Sequence, residues 1–263
     1  MSPTVEELLT DLDAERAAVM GLVREIPRAQ WSAATRATPW TVRDQIAHLG
    51  WFDAAFARAI STPDDFVAER DAITDLEGFV DRAGDQVPSV GPAALAWWQD
   101  AALAFDRAAR ALEISDPSAR LPWYGPAMSL RSAITSRIME TWAHGGDIAD
   151  ALDAPFPPTD RLRHVVDLAV RARPQGYRAR GLAPPATPVR VELTAPSGAV
   201  WTFAEGGDVI RGDAEEFCLV LVRRRHVDDT ALEVVGAAAR EWMELGQMFA
   251  GPPGTDPVRE AWR

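Results

Sequence analysis

The chain has 263 residues, 47% of them hydrophobic and 25% charged, and carries a formal net charge of −12. This length accommodates one large domain or two smaller ones, and the acidic balance excludes a general nucleic-acid binder, which needs a basic footprint. No stretch reaches the roughly 20 apolar residues of a membrane span, and the lone cysteine, Cys218, excludes both an intrachain disulfide and a thiolate-rich metal site. Cys218 lies in the apolar run FCLVLV and reads as a small buried hydrophobe. The segment MSPTVEELLTDLDAER is acidic and amphipathic, without the basic-then-apolar layout of a signal peptide, so a cytoplasmic location is expected. All 27 Lys-plus-Arg positions are arginine, and Asn is also absent, a pattern that matches GC-rich codon usage.

Apolar residues at helical spacing (Val5, Leu8, Leu9, Leu12, Val19, Leu22, Val23) predict a helix from Val5 to Ile26, stopped by Pro27, with Glu15 and Arg16 interrupting its stripe. A second helix is expected from Thr41 to about Ile60. Thr41 and Asp44 form a Thr-x-x-Asp arrangement related to a capping box, with Thr41 as N-cap. Further helices are predicted over Phe66 to Ala83, Pro92 to about Leu112, Ser129 to about Leu152 and Thr159 to about Arg173. No alternating strand pattern precedes residue 183, so residues 1–183 read as a helix bundle with four principal helices. GLAPPATP (181–188) reads as a linker. Beyond it the period changes: VRVEL (189–193) and AVWTF (199–203) alternate as strands around a Ser197-Gly198 turn. A short strand follows at Val209-Ile210, then a helix capped by Asp213, a strand at LEVVG (232–236) and a closing helix over 237–249. Residues 189–263 therefore read as a small α+β domain.

The chemistry-bearing pattern is split between two of these helices. Glu140 and His144 are four residues apart in RIMETWAHGGDIADAL, which puts both side chains on one helix face. His48 lies about two turns into the helix that Thr41 caps. Two imidazoles and a carboxylate leave a divalent ion with open positions, a set that suits zinc or a similar metal in a catalytic role. The competing reading is a Glu140–His144 ion pair on a solvated face. Against it, Glu140 shares its face with Ala133, Ala143 and Ala151, small residues that suit a helix contact, where an unpaired carboxylate is costly. Asp147 reads as a partner for a ligand's second ring nitrogen or as a fourth ligand. Gly145 and Gly146 read as sites of close approach. His164 and His226 lie outside the constellation. Most of the ten tryptophans read as core; Trp51 and Trp142, nearest the ligands in sequence, are the candidates for a pocket wall. Trp123-Tyr124 reads as a loop anchor or a lid.

The segment WTVRDQIAHL resembles the W-(S/T)-V-x-D-x-x-A-H-L signature of the DinB-like bundle proteins, and ETWAHGGDIADAL (140–152) resembles their second signature, E-x-x-x-H with Asp three residues on. A helical bundle followed by a small α+β domain is similar to the mycothiol-dependent maleylpyruvate isomerase group. The C-terminal stretch resembles an actinobacterial branch described only as metal-binding. The resemblance implies His48, Glu140 and His144 as metal ligands, zinc as the metal, and a DinB-like four-helix bundle followed by a sterol-carrier-like α+β domain. It also implies an active-site arginine after the helix DAEEFCLVLVRR: Arg224 first, with Arg223 and Arg225 beside it. The isomerase's apolar-Trp-x-x-Gly-Arg ending does not occur here.

The expected function is a metal-dependent enzyme that uses a low-molecular-weight thiol, mycothiol, in transfer to or cis–trans isomerisation of a small electrophilic substrate. The alternatives are a non-catalytic protein that binds a metal and an apolar ligand, and a zinc that only braces the helices. The partners expected are a small molecule and a thiol, with no nucleic acid and no membrane; the oligomeric state stays open.

Overall fold

The structure is a computed structural model describing residues 3–249. It is mostly helical, with a small mixed sheet. The chain divides into two compact units between Phe156 and Pro157.

In the first unit, helix α1 (Val5–Val23) starts at Thr4, whose side chain and that of Glu7 form a reciprocal capping box. Helix α2 (Val42–Ser61) starts in the same way at Thr41 and Asp44. The single helix predicted over Phe66 to Ala83 is two, α3 (Pro63–Asp71) and α4 (Leu76–Ala83). The break comes at Asp75, whose side chain accepts from the Gly78 amide and so starts a new helix. Helix α5 (Gly91–Ser115) follows. Two short antiparallel strands, β1 (Arg120–Leu121) and β2 (Met128–Ser129), precede α6 (Leu130–Ala151); at two residues each they are too short to carry an alternating pattern. Helices α1, α2, α5 and α6 pack against one another in pairs, α2 on α5 and α6, α1 on α5 and α6.

The core of this unit is not purely apolar. Arg16, which interrupts the apolar stripe of α1, is only 3% exposed and ties three helices together. Its guanidinium lies 2.9 Å from Asp106 on α5 and 3.1 Å from Asp53 on α2. Asp53, fully buried, also accepts from Arg137 Nε on α6 at 2.7 Å and from Trp98 Nε1 on α5 at 2.9 Å. Arg137 donates further to the Leu49 carbonyl at 3.0 Å. Buried charges persist when they are paired and hydrogen-bonded in this way.

In the second unit, α7 (Leu162–Ala179) continues through Pro174, where the sequence had suggested an end. It packs on α8 (Ala214–Leu221) and α9 (Ala237–Leu245). This helix, counted with residues 1–183 in the sequence reading, thus groups with the C-terminal unit because its buried stripe (Leu162, Val165, Val166, Ala169) faces partners there. The sheet has the order β4-β3-β5-β6, with β3 Val189–Thr194, β4 Val200–Phe203, β5 Asp208–Asp213 and β6 Glu233–Val235. β3 pairs antiparallel with β4 across the Ser197-Gly198 turn, where Gly198 takes φ 85°. β3 and β5 are parallel, and β6 closes antiparallel on β5. Val189, Val191 and Leu193 alternate into the core, as period-two burial requires. Among the described residues, no helix is long and apolar enough to cross a membrane.

Candidate metal centre

The cap at Thr41 sets where α2 begins, and from that start Gln45, His48 and Phe52 fall on one face at i, i+3 and i+7. On α6, Glu140 and His144 lie one turn apart. The packing of α2 on α6 brings the two faces together. One oxygen of Glu140, Oε2, stands 3.5 Å from His48 Nε2 and 3.2 Å from His144 Nε2. The three potential ligand atoms all lie within 4.8 Å of one another, a group found among the described residues for these side chains. Asp147 is not part of it: its Oδ2 faces the opposite ring nitrogen, Nδ1 of His144, at 3.6 Å.

The protonation states suit ligation. Burial, with His144 alongside, lowers the His48 imidazole to about 4, so it is neutral at physiological pH. Burial alone would raise the Glu140 carboxyl, but hydrogen bonding and charge from His144 and His48 outweigh it and hold the group well below the usual carboxylate range. An anionic oxygen between imidazole nitrogens is the donor set a divalent ion takes, and the His48 Nδ1 atom is buried without a hydrogen-bond partner. The residues fit a metal.

A polar chain and an aromatic rim surround these three side chains. Gln45, fully buried, accepts from His144 Nδ1 through Oε1 and donates from Nε2 to Thr35 Oγ1 at 2.9 Å. Thr35 Oγ1 in turn donates to the Trp40 carbonyl at 2.8 Å. The Trp40 ring lies 4.8 Å from the His48 ring and stacks on His144 at 5.8 Å. Phe52 packs on His48 at 4.6 Å and leads outward into a cluster with Trp51, Trp123 and Tyr124.

The remaining residues singled out in the sequence fall as follows. Trp51, buried, rests its ring on Phe52, Phe79 and Tyr124. Trp142 is buried on α6 between Glu140 and His144 in sequence. Trp123 stacks flat on Phe56 at 3.6 Å, the anchor of its loop. In the second unit, Arg223 holds a left-handed backbone with φ 62° and donates to the Glu244 carbonyl at 2.9 Å. Arg224 donates to the Val222 carbonyl at 3.0 Å, and Arg225 lies 3.5 Å from Glu216. His226 accepts the Asp228 amide as a local cap, 3.1 Å away. Gly145 is a point of close approach, since a Cβ there would stand 2.6 Å from Val19 and 2.7 Å from Phe156, whereas Gly146 faces open space.

Sequence reasoning missed Gln45 and Thr35, and gave Trp40 no role at the site although it opens the WTVRDQIAHL signature. The available signal for Gln45 was its polarity on the ligand face, three residues before His48. Trp40 and Thr35 enter through the loop before α2, which carries no periodicity.

A family model described as the mycothiol maleylpyruvate isomerase N-terminal domain matches residues 12–149. Two uncharacterised proteins of Mycobacterium tuberculosis, from strains CDC 1551 / Oshkosh and ATCC 25618 / H37Rv, are each 37% identical over 249 residues, covering 94% of this chain and 96% of the relative. The fold is similar to crystal structures of mycothiol-dependent maleylpyruvate isomerase. A histidine-to-alanine variant gives a TM-score of 0.58 at 17% identity, covering 86% of this chain and 91% of that one. A second structure of the isomerase gives 0.55 at 16% identity, covering 84% and 90%.

Proposed function

The chain belongs to the mycothiol maleylpyruvate isomerase N-terminal domain family, and from that premise we propose that it is a metal-dependent enzyme using a low-molecular-weight thiol, mycothiol, for isomerisation of, or transfer to, a small electrophilic substrate. The observation that carries this reading is the convergence of two imidazole nitrogens and one anionic carboxylate oxygen within 4.8 Å. His48, Glu140 and His144 would hold the ion, with zinc favoured by the nitrogen-rich donor set. When bound, such an ion lowers the pKa of a thiol so that thiolate is available near neutral pH.

This chain's own residues do the rest. Neutral His48 and anionic Glu140 leave the site one negative charge to offset a divalent ion, so net positive charge remains for an anionic thiol. Trp40 and Phe52 cover the imidazoles and limit water there. Trp51 and Trp142 are proposed as further walls of the thiol or substrate pocket. Arg224, with Arg223 and Arg225 as alternatives, is the proposed partner for a substrate carboxylate or developing enolate, through charge-assisted hydrogen bonds. The pairwise packing of α1, α2, α5 and α6 supports a DinB-like four-helix bundle, and the β4-β3-β5-β6 sheet with its helices supports a sterol-carrier-like second domain.

The test is metal analysis of purified protein beside His48→Ala, followed by mycothiol titration of the zinc-loaded form. Near-stoichiometric metal lost in the variant, with turnover of maleylpyruvate or a related electrophile only when mycothiol is present, is the expected result. Metal that binds but ignores thiols points instead to a metal- and ligand-binding protein; absence of metal after reconstitution refutes the reading.

A further inference from the structure

The polar chain behind His144 has a direction that the donors and acceptors themselves dictate. The Trp40 carbonyl accepts the Thr35 amide at 2.9 Å and, through its second lone pair, the Thr35 hydroxyl proton at 2.8 Å. Thr35 Oγ1 then offers a lone pair toward Gln45, 2.9 Å away, and only the NH2 end of the Gln45 amide can satisfy it. The amide oxygen is thereby turned to His144 Nδ1. A second acceptor, Asp147 Oδ2, faces the same nitrogen at 3.6 Å. Thr35, Gln45 and Asp147 are 6%, 0% and 1% exposed, so water does not compete for these bonds.

We propose that this relay, from the Trp40 carbonyl through Thr35 and Gln45, fixes His144 as its Nδ1–H tautomer, making Gln45 a positioning residue for the metal centre. In the neutral Nδ1–H form the Nε2 lone pair of His144 faces Glu140 Oε2 across 3.2 Å, so the hydrogen bond that a ring protonated at Nε2 gives this oxygen is absent and two acceptors meet. That arrangement is stabilised when a cation lies between the two atoms. The partner-bound nitrogen of a metal-ligating histidine orients the ring and raises its basicity. His48 lacks this support, because its Nδ1 is buried without a partner. The two histidines are therefore inequivalent: the protein sets the tautomer of His144 and not that of His48.

The tautomer depends on the relay and not on an ion; its effect on metal affinity rests on the metal reading proposed above. The decisive measurement is long-range proton–nitrogen NMR on metal-free protein labelled at histidine, recorded over a pH series so that the neutral form of the ring is read. A bare Nε2 and a protonated Nδ1 on His144 are expected. The reverse pattern overturns the proposal and needs no variant to do so. In Gln45→Leu the tautomer preference should be lost and the zinc dissociation constant should rise about 10- to 100-fold. Gln45→Glu keeps an acceptor for Nδ1–H and should recover most of the affinity. Equal loss of zinc in both variants, with the His144 tautomer unchanged in both, also overturns the positioning role. A wild type that holds the expected tautomer yet binds no zinc upholds the relay and refutes the metal reading, so the two failures are distinguishable.

Discussion

Asp53→Ala removes the acceptor at the centre of the buried charge network. Asp53 is fully buried, accepts from Arg137 at 2.7 Å and Trp98 at 2.9 Å, and is ion-paired with Arg16 at 3.1 Å. Deleting it leaves two guanidinium groups, 1% and 3% exposed, without their shared counter-charge. Breaking a buried pair by removing one partner costs about 3–5 kcal/mol, and the orphaned Trp98 N–H adds about 1–3 kcal/mol. Against a total stability on the order of 5–15 kcal/mol, this change should remove about a quarter or more of it. The assay is urea unfolding followed by far-ultraviolet circular dichroism, comparing wild type with Asp53→Ala. Replacing the network together, as Arg16→Met, Asp53→Leu, Asp106→Leu and Arg137→Met, should cost less than the sum of the single changes, because no buried charge is left stranded. A single Asp53→Ala variant within about 1 kcal/mol of wild type would refute the reasoning.

Four further outcomes are expected. Burial alone would raise the Asp53 carboxyl, but the charges of Arg16 and Arg137 and the hydrogen bonds from Arg137 and Trp98 hold it below its ordinary 3.8. Its contribution is therefore complete above the unfolded value and lost as pH falls through the lower folded one, so below about pH 4 wild-type stability should decline more steeply than that of Asp53→Asn. Gly145→Ala should destabilise by about 1–3 kcal/mol through overlap with Val19 and Phe156, while Gly146→Ala, with open space at its Cβ, should stabilise by up to about 1 kcal/mol; thermal melts of the pair test both signs. Cys218 is fully buried, and burial with Glu215 and Asp213 nearby pushes its thiol well above 9.0, so a thiol reagent should label it only after denaturation. Thr41→Ala should cost about 1 kcal/mol by removing the α2 cap, read as a lower urea midpoint.

What the sequence determined by itself was local in origin. Thr41 and Asp44 lie three residues apart, and their reciprocal bonds start α2 where the spacing predicts. Glu140 and His144 share a face because 3.6 residues make a turn, and His48 follows from counting forward from the cap. The strands of the second unit were legible because Val189, Val191 and Leu193 alternate. Tertiary structure decided what depends on residues distant in the chain. Arg16 reads in sequence as a fault in an apolar stripe, and only the approach of Asp53 and Asp106 makes it a core residue. Gln45 and Thr35 become meaningful only when α6 delivers His144 to them, 99 residues along the chain from Gln45. Helix α7 has an amphipathic stripe that any partner could bury, and its packing on α8 and α9 chose the C-terminal unit. Periodicity and capping act within a turn or two of the chain, whereas the pairing of buried charges and the orientation of the ligands are set by which helix faces meet.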